Sequence, residues 1–125
     1  MKSLNEITEK IIGAAFKVSN GLGAGFLEKV YENALVHELK KAGLAVEQQK
    51  PVDVYYDGVV VGKYCAALVV EEVVIVELKA VGRIEDVHLA QCLNYLKATR
   101  LKLGLILNFG KSKLEIKRVA HGYTD

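Results

Sequence analysis

A charged pair directly follows the most apolar run of the chain. Glu77 and Lys79 flank Leu78, immediately after the continuous apolar run 73–76. Residues two apart in a strand share a face, so the two charges project together. A charge at the end of a buried strand is costly unless it is paired or used. An ion pair that has just reached solvent would explain this pattern, and so would a catalytic carboxylate with its lysine.

Two helical segments carry polar side chains that could join this pair. Gln91 and Tyr95 are four residues apart and therefore lie on one helix face. Glu28 and Tyr31 lie one helical turn apart, beside an apolar stripe. Taken singly, these residues fit a polar helix edge, a surface carboxylate and a core aromatic with its hydroxyl at the rim.

Taken together, the residues suggest a divalent-metal phosphodiesterase, because Mg²⁺ prefers carboxylate, water and phosphate oxygens. Glu77 would bind the metal, and Lys79 would orient the attacking water or stabilise charge on the phosphate. Gln91 and Tyr95 would hold a phosphate, and Glu28 would reach the metal directly or through water. We expect these five side chains to converge on a single cleft.

Hydrophobic periodicity predicts the elements that must position these residues. It predicts an α/β fold of one domain over residues 1–125, a mixed sheet with helices packed against it. Asp57-Gly58 is the strongest hairpin signal, and Pro51 places its strand at a sheet edge. Helices are predicted over 4–19, 25–42 and 85–99, and strands over 46–56, 59–70, 73–80, 103–108 and 114–119.

Two expectations about the core follow from these patterns. Cys65 is expected to be a small core residue of its strand. The second helix is expected to bury an inner stripe consisting of Phe26, Leu27, Val30, Tyr31, Ala34, Leu35 and Leu39.

Composition excludes several classes of protein. The chain of 125 residues is 51% hydrophobic and 26% charged, which is typical of a compact globule and too short for a TIM barrel. Two distant cysteines argue against a disulfide framework or a zinc site. Without a signal-like leader or a long apolar run, we expect a cytoplasmic protein that does not span a membrane. Residues 97–118 carry seven basic side chains and one acidic one, which indicates a side facing a polyanion or a solvated surface.

The chain resembles the GxxExxY proteins, small members of the PD-(D/E)XK nuclease superfamily. The matching segments are Gly25-x-x-Glu28-x-x-Tyr31, Glu77-Leu78-Lys79-Ala80, His88-x-x-Gln91-x-x-Asn94-Tyr95-Leu96, and Gly104 with Asn108-Phe109-Gly110. The resemblance implies a restriction-endonuclease-like αβββαβ core, in which Glu77 and Lys79 form the (D/E)XK half-motif. It implies Mg²⁺ or Mn²⁺ held by Glu77, Glu28 and the Leu78 backbone carbonyl, and a nucleic-acid partner, DNA ahead of RNA. The sequence does not decide whether the chain forms a homodimer.

One position departs from that pattern. The family would have its metal-binding Asp at position 67, where this chain has Ala67, whose methyl group cannot bind a cation. Metal binding is therefore expected to be weak or absent. The chain is then a natural pseudoenzyme, a deliberately inactivated form, or one in which another acid (Glu71, Glu72 or Asp86) has taken over.

The turn before the Glu77 strand decides whether position 67 can share a site with it. A two-residue turn would pair Ala67 with Val76, whereas an odd turn over 71–73 would pair it with Glu77 on the same face. The nuclease hypothesis needs the odd turn, or a bulge with the same effect, and Ala67 and Glu77 on opposite faces would contradict it. Its alternatives are a non-catalytic nucleic-acid-binding module and a protein-interaction module that uses the apolar surface of the first helix.

Overall fold

The computed structural model describes residues 2–122 and confirms the predicted order of elements. The bounds are α1 Leu4–Leu22, α2 Glu28–Lys41, β1 Val46–Tyr56, β2 Val59–Val70, β3 Val74–Lys79, α3 Asp86–Thr99, β4 Leu103–Asn108 and β5 Glu115–Ala120. The largest differences from the prediction are at the end of α1 and the start of α2. No helix of residues 2–122 is long and apolar enough to cross a bilayer.

The strands form one five-stranded mixed sheet in the order β1-β2-β3-β4-β5. β3 and β4 are parallel, and the other neighbours are antiparallel. The parallel pair requires a crossover, which α3 provides. This is the predicted α/β architecture with a restriction-endonuclease-like core.

Helices cover both faces of the sheet, which explains why β3 and β4 are almost continuously apolar. We call the core on one face, where α1 and α2 bury residues such as Ile11 and Leu35, the α1–α2 layer. On the other face, the α3 layer is built around Leu96 and Ile75. α3 approaches β4 closely at Gly104, where a Cβ atom would lie 2.7 Å from the Cys92 Sγ.

The β1–β2 hairpin extends well beyond the rest of the sheet. β3 pairs only with residues 68–70 of β2, so the remainder of the hairpin is a two-stranded ribbon. Its turn is Asp57-Gly58, with φ of 52° and 75° as a tight hairpin turn requires. Cys65 lies in this ribbon and is exposed, so its expected place in the core is wrong.

The predicted inner stripe of α2 is only partly correct. Tyr31, Leu35 and Leu39 are fully buried, but Phe26, Leu27 and Val30 are exposed. The reason is that α2 begins at Glu28, so the first two exposed residues precede the helix. Val30 lies off the buried stripe.

Candidate active site

Glu77 lies at a fork in the sheet. Its strand, β3, pairs with β2 only as far as Leu68 and Val76, after which β2 continues alone with β1. The Glu77 side chain is mostly buried there, and its Oε1 atom has no hydrogen-bond partner among residues 2–122. A buried acceptor without a partner is unfavourable, so this atom is suited to an added ligand.

The turn between β2 and β3 is the odd one that the site hypothesis requires. It consists of residues 71–73, so Val70 pairs with Val74. If the register is extended by one residue beyond the pair Leu68–Val76, Ala67 comes to lie opposite Glu77. The two positions are therefore neighbours at the fork.

The alternation of side chains along β2 is interrupted at Ala67. Ala66 packs in the α3 layer, whereas Ala67 and Leu68 both contact the α1–α2 layer. On β1, Gln49 has a φ of 56°, and the pair Gln49–Ala67 is missing from the ladder, although the register is the same on both sides of the gap. The expectation that the odd turn puts Ala67 and Glu77 on the same face is therefore wrong for the Ala67 side chain. It is the Ala67 backbone amide that faces the Glu77 carboxylate.

Burial raises the pKa of Glu77 from 4.5 to about 7. The Lys79 ammonium and the Ala67 amide act in the opposite direction, and the charges of Glu28 and Glu32 raise the pKa further. Perturbed carboxyl groups of this kind are common in functional sites. Near neutral pH this carboxyl group can therefore exist in either protonation state.

The end of β3, which carries Lys79, is fixed by Asn108. Asn108 is fully buried, and its Oδ1 accepts hydrogen bonds from the N–H groups of Val81 and Gly110, each at 3.0 Å. Its Nδ2 donates to the Val81 carbonyl and to Glu115. The sequence had marked Asn108 only through the family resemblance, and the structure shows that it holds the segment leaving the site.

Gly110 allows this close approach of two loops. A Cβ at that position would lie 2.4 Å from the backbone N and O of Val81. Contacts that short with backbone atoms cannot be relieved by a side-chain movement. The Asn108-Phe109-Gly110 segment is therefore structural support for the strand that carries Lys79.

α3 brings Tyr95 to the same region. The Tyr95 ring stacks on Tyr64 at a centroid distance of 3.8 Å. Burial raises the pKa of Tyr95, and the Glu77 charge raises it further, which places the phenol in the field of the carboxylate. Gln91 lies one turn earlier on α3, is exposed, and has no side-chain hydrogen bond within residues 2–122. His88 serves the start of α3, where its Nδ1 accepts from the Glu85 amide at 2.9 Å.

α2 contributes a carboxylate that sequence reasoning missed. Glu32 is 5% exposed and accepts hydrogen bonds from Gln48, Gln49 and Lys29, which hold its pKa below the ordinary value despite the opposing effect of burial. The only advance signal was its spacing of one turn from Glu28. Glu32 joins α2 to β1 beside the fork, whereas Glu28 is exposed at the start of α2.

The three replacement acids considered from the sequence lie elsewhere. Glu71 and Glu72 are in the turn before β3. Three paired residues of each strand, at about 3.3 Å per residue, separate this turn from the fork, so neither acid lies beside Glu77. Glu71 is already engaged with the Ala45 amide. Asp86 begins α3 and is exposed.

The donors around Glu77 can be compared with those that a divalent cation needs. The partnerless Glu77 oxygen fits a hard cation, and Glu28 is close enough to influence its pKa. Within residues 2–122, however, no group of three or more His, Cys, Asp or Glu side chains is arranged to hold a metal. The side chains that residues 2–122 present around Glu77 therefore do not complete such a centre, and Ala67 offers only a methyl group there.

The basic residues of segment 97–118 do not form one face. Lys97, Arg100 and Lys102 precede β4, Lys111 and Lys113 follow its end, and Lys117 and Arg118 lie within β5. The six residues of β4 separate the first two groups by about 20 Å. Only the second group lies at the sheet end where Lys79 emerges.

Comparison with known proteins supports a restriction-endonuclease-like fold. A family model described as the PD-(D/E)XK nuclease superfamily matches residues 5–119. No curated protein and no solved structure matches significantly. The match spans nearly all of the sequence, including the fork and the strand that carries Glu77 and Lys79. The chain therefore belongs to the PD-(D/E)XK nuclease superfamily.

Proposed function

We propose that the fork between β2 and β3 is a nucleic-acid phosphodiester site of the GxxExxY type, and that Ala67 leaves it without hydrolytic activity. The observation that carries this proposal is the buried Glu77 oxygen with no partner, next to the position where a second carboxylate is missing. Nucleases of this superfamily generally use divalent metals such as Mg²⁺.

The residues of the chain have separate roles in this proposal. Lys79 attracts a phosphate to the open end of β3 and offsets its negative charge. Tyr95, held by its stack on Tyr64, and Gln91 contact the same or the neighbouring phosphate. Glu77 and Glu28 would bind a divalent cation, whose chemistry is to polarise the phosphate and activate water.

A non-catalytic nucleic-acid-binding module is the second candidate, and Ala67 favours it. Removing a negative charge near a bound phosphate lowers repulsion, so binding should survive the loss of metal. The two candidates differ in whether a restored acid produces hydrolysis.

The test compares this chain with Ala67→Asp and with Ala67→Asn, which has nearly the same shape but no charge. Titration calorimetry with Mn²⁺ and cleavage of single- and double-stranded DNA and RNA are measured on all three, with circular dichroism to confirm folding. We expect Ala67→Asp alone to bind Mn²⁺ and cut. The double variant Ala67→Asp/Glu77→Gln should lose both properties.

Two results would contradict the proposal in different ways. If folded Ala67→Asp binds no metal and cuts nothing, the chain is a binding module. If the unmodified chain already cuts, another acid supplies the second ligand, and the ligand assignment is wrong.

A further inference from the structure

The loop between α1 and α2 presents apolar side chains to solvent. Leu27 is 82% exposed and Phe26 47%. Leu27 is also the N-cap residue of α2 and makes no side-chain cap hydrogen bond. Ser, Thr, Asp or Asn would cap the helix better, so leucine here neither stabilises the helix nor fills the core.

This loop is nevertheless held firmly. The buried Tyr31 hydroxyl donates to the Gly23 carbonyl at 2.6 Å and accepts from the Phe26 amide at 3.1 Å. The Phe26 ring meets the Tyr31 ring edge-on, with centroids 6.1 Å apart. Gly25, with a φ of 113°, allows the turn between them. Phe26 is thus presented outward from a fixed backbone.

The loop also lies beside the proposed phosphodiester site. Tyr31 stacks on Phe109 at 4.8 Å, and the Phe109 amide donates to the Lys79 carbonyl at 2.8 Å. Phe26 is therefore connected to the strand of Lys79 through three consecutive contacts, Phe26–Tyr31, Tyr31–Phe109 and Phe109–Lys79. Glu28, the residue after Leu27, is near enough to Glu77 to affect its ionisation.

We propose that Phe26 and Leu27 contact unpaired bases and make the site selective for single-stranded nucleic acid. The inference rests on the proposed function of the fork. Bases in a duplex are paired and stacked inside the helix. Phe26 and Leu27, next to a bound duplex backbone, would therefore meet phosphates, which gain nothing from an apolar surface. In a single strand the bases are free to stack on an aromatic ring, whatever their sequence.

The test measures binding of the unmodified chain, Phe26→Ala and Leu27→Ser to a short single-stranded oligodeoxynucleotide and to the corresponding duplex, without added metal. We expect the unmodified chain to prefer the single strand. Phe26→Ala should weaken single-strand binding about tenfold, as expected for the loss of one stacking ring, and leave duplex binding unchanged. Leu27→Ser should weaken single-strand binding while raising the thermal unfolding midpoint, because serine caps α2.

Tyr56→Ala is the matched control, since Tyr56 is a 75% exposed aromatic at the hairpin turn. It should change neither affinity. A second readout uses Phe26→Trp, which gives this chain, otherwise free of tryptophan, a single indole whose fluorescence base stacking should quench.

Lys79→Ala separates the two proposals. If it weakens binding to both nucleic acids while Phe26→Ala weakens neither, the base-contact inference is overturned and the phosphodiester site stands. If Lys79→Ala has no effect, the proposed function fails. Tighter binding of the duplex by the unmodified chain, or an effect of Phe26→Ala on self-association alone, would also overturn the inference.

Discussion

The backbone amide of Ala67 faces the carboxylate of Glu77 where β2 and β3 separate. The two residues are therefore neighbours at the fork, although the Ala67 side chain packs in the α1–α2 layer. Since a Glu77 oxygen is buried and has no hydrogen-bond partner within residues 2–122, burying this carboxyl group has an energetic consequence that can be measured without substrate.

Glu77 should make stability fall as the pH rises. Its folded pKa of about 7 lies above the ordinary value of 4.5, so its favourable contribution is complete below about pH 4.5 and is lost as the pH rises through 7. At pH 8, Glu77→Gln should increase the free energy of unfolding by about 2–3 kcal/mol. Urea unfolding of both proteins between about pH 5 and pH 8 measures this. Parallel pH curves would show that burial does not perturb Glu77.

Tyr31→Phe should loosen the loop between the first two helices. The hydroxyl makes hydrogen bonds to Gly23 and Phe26, and its loss should lower the free energy of unfolding by about 1–3 kcal/mol. Hydrogen exchange should become faster at the Phe26 amide in particular. Tyr56→Phe, at an exposed tyrosine, is the control and should change neither quantity. Unchanged exchange at Phe26 would contradict the assigned role of Tyr31.

Asn108→Ala should destabilise the protein strongly. It removes every side-chain hydrogen bond of Asn108 and leaves both polar backbone groups of Val81 without that partner, at an expected cost of about 2–4 kcal/mol. Exposed Asn94→Ala serves as the control and should be nearly neutral. Chemical unfolding gives the comparison. Similar small losses for both variants would mean that Asn108 does not fix the end of β3.

Gly104→Ala should clash with Cys92, since the added Cβ would lie 2.7 Å from its Sγ. We expect a loss of about 1–3 kcal/mol from this overpacking. Cys92→Ala removes the sulfur, so the double variant should be more stable than the sum of the single effects predicts. Thermal unfolding of the four proteins completes the cycle. Strict additivity would show that the contact does not limit the approach of α3 to β4.

The sequence by itself determined the order of elements and the strand that carries the site. Apolar periodicity depends on local geometry, so it separated helices from strands, and the run before Glu77 showed a strand buried on both faces. The spacing of Glu77 and Lys79 was likewise readable, because strand parity depends only on counting residues. The length of the turn before β3, by contrast, is known only from the pairing of Val70 with Val74 in the structure.

Only the tertiary structure decided how those residues are surrounded. The interruption of alternation at Ala67 coincides with the loss of its pairing to Gln49 in another strand, and the role of Asn108 depends on the distant Val81. The exposure of Phe26 likewise follows from the start of α2 at Glu28 and from the hydrogen bond between the Phe26 amide and the Tyr31 hydroxyl. Contacts between residues far apart in the chain set burial and hydrogen bonding, and a periodic pattern along one segment carries no information about them.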